Sequence, residues 1–268
     1  MTGAVCILSL VSQVAVSVLM PVAPRAKWLG EALGGLRAQG FADWELVVVL
    51  DGKCDSNESA IEDSGLRNPL RVLRTEGGHG VARSLNLGLT HCRGLLVARH
   101  DADDISAPER LALQAATMLD RPHLLVLGTS ARLIDENGQV IGRRAVPSGP
   151  DVVRRLQWRN ALIHPSVMMR RTAVTDVGGY DEASPRTEDY ELWLRLAARG
   201  PLDNLQRDLV DYRIHAQQHS AAGSLGGGAH KIRLARREAV RSSGGTWVIS
   251  DLKHAVWASV QIARGRGL

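Results

Sequence analysis

The chain has 268 residues, of which 44% are hydrophobic, and its formal net charge at pH 7 is +5. This length fits one large α/β domain, with or without a small appendage, and suffices to bury a sizeable core. Because 28 acidic residues accompany 33 basic ones, the composition disfavours a dedicated nucleic-acid binder and favours an anionic ligand or membrane surface. Cys6, Cys54 and Cys92 are too widely spaced for a disulfide framework, which suits a reducing compartment.

Strand and helix patterns alternate through the first part of the chain. Apolar runs predict strands at 14–20, 44–50, 70–74 and 94–98, and helices at 25–39 and 81–91. We interpret the apolar residues before 14 as a lead-in rather than a signal or anchor segment. Pro21 and Pro24 are expected to end the first strand, and a polar loop is expected at 51–57. The alternation predicts a parallel sheet with helices on both faces.

Three carboxylates, Asp101, Asp103 and Asp104, directly follow the fourth predicted strand. In parallel α/β sheets, ligands bind at the carboxyl edge, where the loop after Asp51 also lies. Clustered carboxylates repel one another unless a cation holds them, and hard oxygen ligands suit Mg(II), Mn(II) or Ca(II). The alternative is a solvated acidic turn before a helix, with Ser106 as its N-cap and Glu109 closing a capping box.

The second half of the chain mixes the two kinds of element. We expect helices at 106–120, 151–159, 171–177 and 188–199, extended segments at 124–133, 164–169 and 209–214, and a hairpin turn at 135–138. Beyond a glycine-rich stretch at 223–228, a basic helix at 231–241 precedes an apolar one at 247–263 with Trp247 and Trp257. This pair favours peripheral contact with an anionic membrane, whereas the alternative is that both helices pack on the domain.

Short motifs occur in an order typical of one enzyme family. They are VSVLMPV at 16–22, DG at 51–52, NxG at 86–88, DADD at 101–104, HPSV at 164–167, GGYD at 178–181, EDYELW at 188–193 and YRIH at 212–215. Together they closely resemble glycosyltransferase family 2, whose members are inverting enzymes with the GT-A fold. The resemblance covers residues 14–220 and leaves 221–268 as a C-terminal helical tail. It implies a Rossmann-like, mostly parallel central sheet with helices on both faces.

The resemblance implies a site for a nucleotide-diphosphosugar donor, and we expect a UDP-sugar. The donor-binding positions that it implies are Pro21, Asp51, Arg83, Asp101 and Asp103. Asp51 corresponds to the carboxylate that recognises the base, and an ionised Asp, which only accepts hydrogen bonds, suits the imide N–H of uracil. The chain departs from the family at Leu50, which replaces the first Asp of the usual pair, and nearby Lys53 could contact phosphate.

The resemblance also implies metal ligands and a catalytic base. The metal ligands are Asp103, Asp104 and His215, and the expected cofactor is Mn(II) or Mg(II), which would neutralise charge on the nucleoside diphosphate leaving group. Asp189 corresponds to the base that removes the acceptor hydroxyl proton in a single in-line displacement. Its alternative role is that of a helix-start carboxylate. The positions expected to line the sugar and acceptor pocket are His164, Tyr180, Asp181, Glu188 and Trp193.

We therefore predict an inverting, metal-dependent glycosyltransferase acting on a glycan or lipid-linked acceptor, in cell-surface polysaccharide or glycolipid synthesis. We expect it in the cytoplasm or at the inner face of the membrane, without a nucleic-acid partner. A sugar nucleotidyltransferase is one alternative, but such enzymes usually carry a glycine-rich basic loop where this chain has PVAPR at 21–25. A non-catalytic nucleotide-sugar binding module is another, and donor hydrolysis with Mn(II) would exclude it.

Overall fold

The computed structural model describes residues 14–53, 55–78, 80–216, 228–242 and 246–265. The predicted N-terminal lead-in, most of the glycine-rich stretch, Cys6 and Cys54 lie outside these ranges. The first part of the chain alternates strands and helices as predicted. Its elements are β1 (Val16–Val22), α1 (Leu29–Arg37), β2 (Trp44–Asp51), α2 (Asp55–Glu62), β3 (Leu70–Thr75), α3 (Val81–His91) and β4 (Leu96–Arg99).

The second part of the chain adds strands to the same sheet and helices around it. Its elements are β5 (Ile105–Ser106), α4 (Arg110–Asp120), β6 (Val126–Ile134), β7 (Val140–Arg144), α5 (Pro150–Leu156), a 3₁₀ turn (His164–Ser166), β8 (Met168–Arg170), α6 (Arg171–Asp176), α7 (Glu188–Ala197), β9 (Leu202–Arg213), α8 (Gly228–Ser242) and α9 (Trp247–Gly265). The hairpin predicted at 135–138 is confirmed, because it joins β6 to its antiparallel partner β7.

One sheet runs in the order β3-β2-β1-β4-β8-β6-β9-β5, and β7 pairs with β6. Strands β1 to β4 are mutually parallel, whereas β8 is antiparallel to β4 and β6. Alternate residues of β2 enter different core clusters: Val47 and Val49 pack on one face, Val48 and Leu50 on the other. Both faces are therefore covered, which explains the continuous apolar runs of the parallel strands and confirms the predicted α/β class.

Pro21 lies inside β1, so the prediction that it ends this strand was wrong. The carbonyl of Leu19 accepts a hydrogen bond from the His100 N–H at 3.0 Å, and position 21, two residues on, faces the same neighbouring strand. The pairing between β1 and β4 stops at Leu19 and Arg99. Since no partner requires an N–H at position 21, proline is tolerated in this central strand.

Three further local predictions were wrong. The segment expected as a polar loop at 51–57 contains the start of α2 at Asp55. Ser106 does not cap a helix: it lies in β5, which pairs with β9, and α4 begins only at Arg110 without a side-chain cap. The extended segment expected at 164–169 begins with a 3₁₀ turn before β8. In the capping case, pairing with a distant strand overrides a local helix-start signal.

The two C-terminal helices pack on the rest of the protein, as the alternative to membrane contact proposed. Ile232 and Ala235 of α8 and Trp257 of α9 are buried in the same cluster as Leu194 of α7. Within the described part of the chain, no helix combines the length and apolarity that crossing a bilayer requires. Helix α9 nevertheless exposes aliphatic side chains at four-residue spacing, namely Val248, Leu252, Val256 and Val260.

Candidate active site

The carboxylate cluster lies at the carboxyl edge of the sheet, immediately after β4. Asp101, Asp103 and Asp104 each offer an oxygen, and these atoms all lie within 4.8 Å of one another. Asp104 is fully buried, and its Oδ1 accepts a hydrogen bond from the Arg213 N–H at 2.8 Å. Its buried Oδ2 has no hydrogen-bond partner among the described residues. Burial and the charges of the two other carboxylates raise the pKa of Asp104 well above its usual value.

The end of β9 brings His215 to this cluster. Its Nε2 lies 2.8 Å from Asp103 Oδ2, and its ring packs against Trp28 with centroids 4.7 Å apart. Two residues earlier, the Arg213 guanidinium donates to the Asp103 carbonyl at 2.9 Å and to Glu31 at 2.6 Å. The C-terminal end of β9 is therefore hydrogen-bonded to the loop of Asp103 and Asp104 through both backbone and side-chain groups.

This donor set fits a divalent cation. Burial and the Asp101 charge raise the pKa of Asp103, although the His215 hydrogen bond opposes them. A carboxylate oxygen without a partner, as in Asp104, is costly when buried unless a cation or proton satisfies it. Hard oxygen ligands suit Mg(II) or Mn(II), and an imidazole such as His215 is more acceptable to Mn(II).

Arg99 is a buried cation that the sequence reasoning missed. It forms an ion pair with Asp101. Although burial disfavours its charged form, the charge of Asp101 raises the pKa of Arg99. Its own charge in turn favours the ionised forms of Asp103, Glu188 and Asp189. It therefore lies between the acidic cluster and the start of α7, and its signal in the sequence was a lone charge ending an apolar strand.

Two carboxylates with different environments begin α7. Asp189 accepts hydrogen bonds from the Tyr190 N–H at 2.6 Å and from Asn160 Nδ2 at 2.7 Å. Burial raises the pKa of Asp189, and these hydrogen bonds oppose the rise. Burial and the Asp189 charge raise the pKa of Glu188 to about 7, and its Oε2 has no partner among the described residues. The hydrogen bonds therefore stabilise the ionised form of Asp189 more than that of Glu188. The sequence reasoning did not anticipate the contact with Asn160.

Three of the five predicted pocket residues form one aromatic group, in which Trp193 of α7 is fully buried in the core. His164 Nε2 lies 3.0 Å from the Tyr180 hydroxyl, and its ring centroid is 5.8 Å from that of Trp193. Burial and the charge of Arg99 lower the pKa of His164 well below its usual value, so the imidazole is neutral at pH 7. Asp181 instead forms an ion pair with Lys231 of α8 at 3.2 Å.

The NxG motif has a structural role beside this aromatic group. The Asn86 side chain accepts a hydrogen bond from the Tyr180 N–H and donates one to the Tyr180 carbonyl, both at 2.8 Å. Gly88 lies against Leu19, and a Cβ there would come within 2.2 Å of the Leu19 Cδ1. The motif therefore fixes α3 against both the sheet and the turn that carries Tyr180.

The remaining predicted donor positions lie along the same sheet edge. Asp51 ends β2, where its Oδ1 accepts a hydrogen bond from the Thr75 hydroxyl at 2.6 Å. Half-buried Pro21 lies near the end of the neighbouring β1, and Arg83 is exposed in the first turn of α3. A cavity of about 920 Å³ lies just beyond the end of β2, lined by Pro24, Arg25, Lys53, Asp55 and Ser56.

Comparison with known proteins decides the family. The family described as "Glycosyl transferase family 2" matches residues 17–178. This chain is a member of glycosyltransferase family 2. It is 32% identical to the O-antigen biosynthesis glycosyltransferase WbnJ of Escherichia coli over 205 residues, which is 75% of this chain and 80% of WbnJ. The predicted glycosyltransferase activity is therefore confirmed over the nucleotidyltransferase alternative.

Two further matches agree. A UDP-Gal:alpha-D-GlcNAc-diphosphoundecaprenol beta-1,3-galactosyltransferase of E. coli is 29% identical, covering 74% of this chain and 73% of that enzyme. The crystal structure of S. aureus TarS 1–349 in complex with UDP-GlcNAc superposes with a TM-score of 0.70, covering 91% of this chain and 71% of that one at 19% identity. The predicted GT-A fold is therefore confirmed for this family 2 member.

Proposed function

We propose that this family 2 glycosyltransferase is inverting and metal-dependent, and that it transfers a sugar from UDP to a hydroxyl group of its acceptor. The observation that carries the proposal is the separation of two kinds of carboxylate at one sheet edge. One kind is the cluster of Asp101, Asp103 and Asp104, with an unpartnered oxygen. The other is Asp189, which Asn160 and a backbone N–H hold at the start of α7.

The reaction that this arrangement supports is a single displacement. Asp189 takes the proton of the acceptor hydroxyl as the acceptor oxygen forms a bond to the anomeric carbon of the sugar. The bond from that carbon to the nucleoside diphosphate breaks on the opposite side, so the configuration inverts. Asp103, Asp104 and His215 would hold the divalent cation, which neutralises the charge developing on the leaving diphosphate. The charge of Arg99 favours the ionised forms of Asp103 and Asp189, opposing the effect of their burial on the pKa of each.

Several features support UDP as the leaving group. Asp51 ends β2 two residues before Lys53, which lines a cavity of about 920 Å³, and a carboxylate near this cavity can accept a hydrogen bond from the uracil imide. Pro21 and Arg83 lie at the same sheet edge, where Arg83 could contact phosphate. TarS was solved with UDP-GlcNAc, and the E. coli galactosyltransferase is named for a UDP-Gal donor. The sugar is expected to lie beside His164, the half-buried member of the aromatic group, which Tyr180 and Trp193 support from the core.

The acceptor is proposed to be a growing cell-surface glycan, free or lipid-linked. This rests on two relatives, one named for O-antigen biosynthesis and one for an acceptor attached to diphosphoundecaprenol. Membrane contact from the cytoplasmic side would then involve the exposed aliphatic side chains of α9, Leu252 and Val256 among them. The basic stretch of α8 contributes less than the sequence suggested, because Arg233 and Arg237 both pair with Asp251.

The proposal is tested by titrating the full chain with UDP in a calorimeter, with and without Mn(II). Mn(II) should tighten UDP binding to the wild-type protein, and Asp103→Asn should abolish that gain because the cation loses an anionic ligand. Asp120→Asn is the matched control, since Asp120 is exposed at the end of α4, which lies outside the site. Equal metal-dependent affinity in the Asp103→Asn protein would contradict the proposed metal site.

A further inference from the structure

Tyr190, the residue after the proposed base, is buried and uses its hydroxyl in two hydrogen bonds. Its O–H donates to the Leu156 carbonyl at 2.5 Å, and its oxygen accepts a hydrogen bond from Arg236 Nη2 at 2.7 Å. Burial raises the pKa of Tyr190, although the charge of Arg236 opposes the rise, so the hydroxyl keeps the proton that it donates. Leu156 is the last residue of α5, and the last carbonyls of a helix lack partners within it. The hydroxyl therefore joins the end of α5 to α7.

The segment after α5 leads to Asn160, which contacts the proposed base. The N–H groups of residues 158 and 159 both donate to the Arg155 carbonyl at 2.9 Å, so the chain turns directly after the helix. Asn160 follows, and its Oδ1 accepts a hydrogen bond from the Leu162 N–H at 3.2 Å. The Asn160 Nδ2 is thereby directed to Asp189 Oδ2, to which it donates at 2.7 Å. The amide that contacts Asp189 is therefore oriented by the short segment that follows α5.

These hydrogen bonds form a ring that includes Asp189. One of its carboxylate oxygens accepts from the Tyr190 N–H at 2.6 Å, and the other accepts from Asn160. Tyr190 therefore acts on this carboxylate twice, directly through its N–H and indirectly through its hydroxyl, Leu156 and Asn160. If the end of α5 moved away from Tyr190, the contact from Asn160 would lengthen while the N–H contact remained. Asp189 would then lose a donor that lowers its pKa.

The C-terminal helices pack around the Tyr190 ring. Arg236 of α8 is fully buried, with its Cζ 5.7 Å from the Tyr190 ring centroid and 5.5 Å from that of Trp257 in α9. Among the described residues, the Tyr190 hydroxyl is the one hydrogen-bond acceptor of Arg236, whose Nε and Nη1 are buried without a partner. Burying a charged group is costly unless hydrogen bonds compensate it. A fully buried arginine that contacts a single hydroxyl therefore indicates a specific role for this contact.

We propose that the Tyr190 hydroxyl is a positioning group for Asp189, and that α8 orients this hydroxyl through Arg236. This inference rests on the proposed function, in which Asp189 is the base. Because Tyr190 is buried, its hydroxyl acts through the segment of Leu156 and Asn160 and not on substrate. The C-terminal helices thereby contribute to the geometry of the proposed base.

The test follows the titration of the Asp189 carboxyl by NMR in the full chain, labelled with ¹³C at the aspartate carboxyls, and the signal is assigned by its loss in Asp189→Asn. Tyr190→Phe removes only the hydroxyl and should raise the midpoint of this titration by about one pH unit, because the hydrogen bond from Asn160 weakens. Asn160→Ala, which removes that donor directly, should raise the midpoint at least as far.

Ser17→Ala is the matched control. The buried Ser17 hydroxyl donates to Glu45 at 2.7 Å near the start of β1, away from the carboxyl edge of the sheet. Its removal should lower stability without moving the Asp189 midpoint. The charges of Glu188, Arg99 and Arg144 act on Asp189, and Tyr190→Phe alters none of them. An unchanged midpoint in Tyr190→Phe, or an equal shift in Ser17→Ala, overturns the inference.

Arg236→Gln tests the contribution of α8. It should raise the Asp189 midpoint in the wild-type background and add nothing in the Tyr190→Phe background, since both changes act through one hydroxyl. Equal shifts in the two backgrounds, or none in either, would overturn the part assigned to Arg236. If the Gln variant fails to fold, Arg236→Lys replaces it in the same comparison, because lysine keeps the charge but not the planar guanidinium.

A rate measurement separates failure of this inference from failure of the proposed function. The release of UDP from UDP-galactose with Mn(II), in which water is the acceptor, is followed against pH on the same preparations. In Tyr190→Phe, the acidic limb of this profile should move to higher pH together with the Asp189 midpoint. If the midpoint moves and the limb does not, the hydroxyl still positions this carboxyl, but Asp189 is not the base and the proposed function fails.

Discussion

Changing Asp189 to Asn removes the proposed base while conserving the size of the side chain. The Asn amide oxygen can still accept the Tyr190 N–H, which Asp189 Oδ1 accepts at 2.6 Å. The other end changes from acceptor to donor and meets the Asn160 amide nitrogen, now 2.7 Å from Asp189 Oδ2. One hydrogen bond is lost, at a cost of about 1 kcal/mol in the free energy of unfolding. Relief of repulsion between Asp189 and Glu188 offsets part of this cost.

The variant should therefore melt close to the wild-type temperature and bind UDP with Mn(II) normally. Its kcat for transfer should fall by about 10²–10⁴-fold, which is the usual contribution of a general base. The assay follows transfer from a UDP-sugar to the acceptor beside thermal melting and UDP titration on the same preparation. If the variant keeps more than about a tenth of the wild-type rate with donor binding intact, the base lies elsewhere.

Two further predictions concern stability. Burial and the Asp189 charge raise the pKa of Glu188 to about 7, well above the usual value for a glutamate, so the folded chain holds a proton there that the unfolded chain releases. Wild-type stability should fall as pH rises from about 4.5 through 7, and Glu188→Gln should remove up to about 3 kcal/mol of this loss at pH 8 but little at pH 5. Urea unfolding at both pH values checks this, and an equal effect at the two would refute it. Gly88→Ala should destabilise by about 1–3 kcal/mol, because its Cβ would lie 2.2 Å from the Leu19 side chain. Gly34→Ala, which meets nothing within 4 Å, should stabilise by about 0.5–1 kcal/mol in the same melts, and equal melting temperatures for both variants would refute the packing argument.

The sequence alone was enough for the architecture of the first half and for the family. Continuous apolar runs such as 46–50 of β2 show burial on both faces directly, because side chains on both faces of such a run must be apolar. The alternation of strands and helices then places Asp51 and the acidic cluster at one sheet edge. The ordered motifs indicated the family, whose match at 17–178 confirmed it.

Local signals failed where a distant segment competed for the same residues. Ser106 lies in a local sequence typical of a helix N-cap, yet in the structure it is part of β5, which pairs with β9. Pro21 was expected to end its strand, but it is tolerated there because the pairing of β1 with β4 has already ended at Leu19. In each case the outcome depends on hydrogen bonds with residues that no local window contains.

The assembly of the site was decided by tertiary structure. His215 meets Asp103 across 112 positions in sequence, and Asn160 meets Asp189 across 29. The first contact arises because β9 runs parallel to β6 and also pairs with β5, so that it ends beside the acidic loop, an arrangement that hydrophobic periodicity does not encode. Whether an arginine is paired, as Arg132 is with Asp211, likewise depends on which carboxylates the folded chain brings near it. Local pattern determines which face of an element is buried, but the partner that buries it follows from the strand order of the whole sheet.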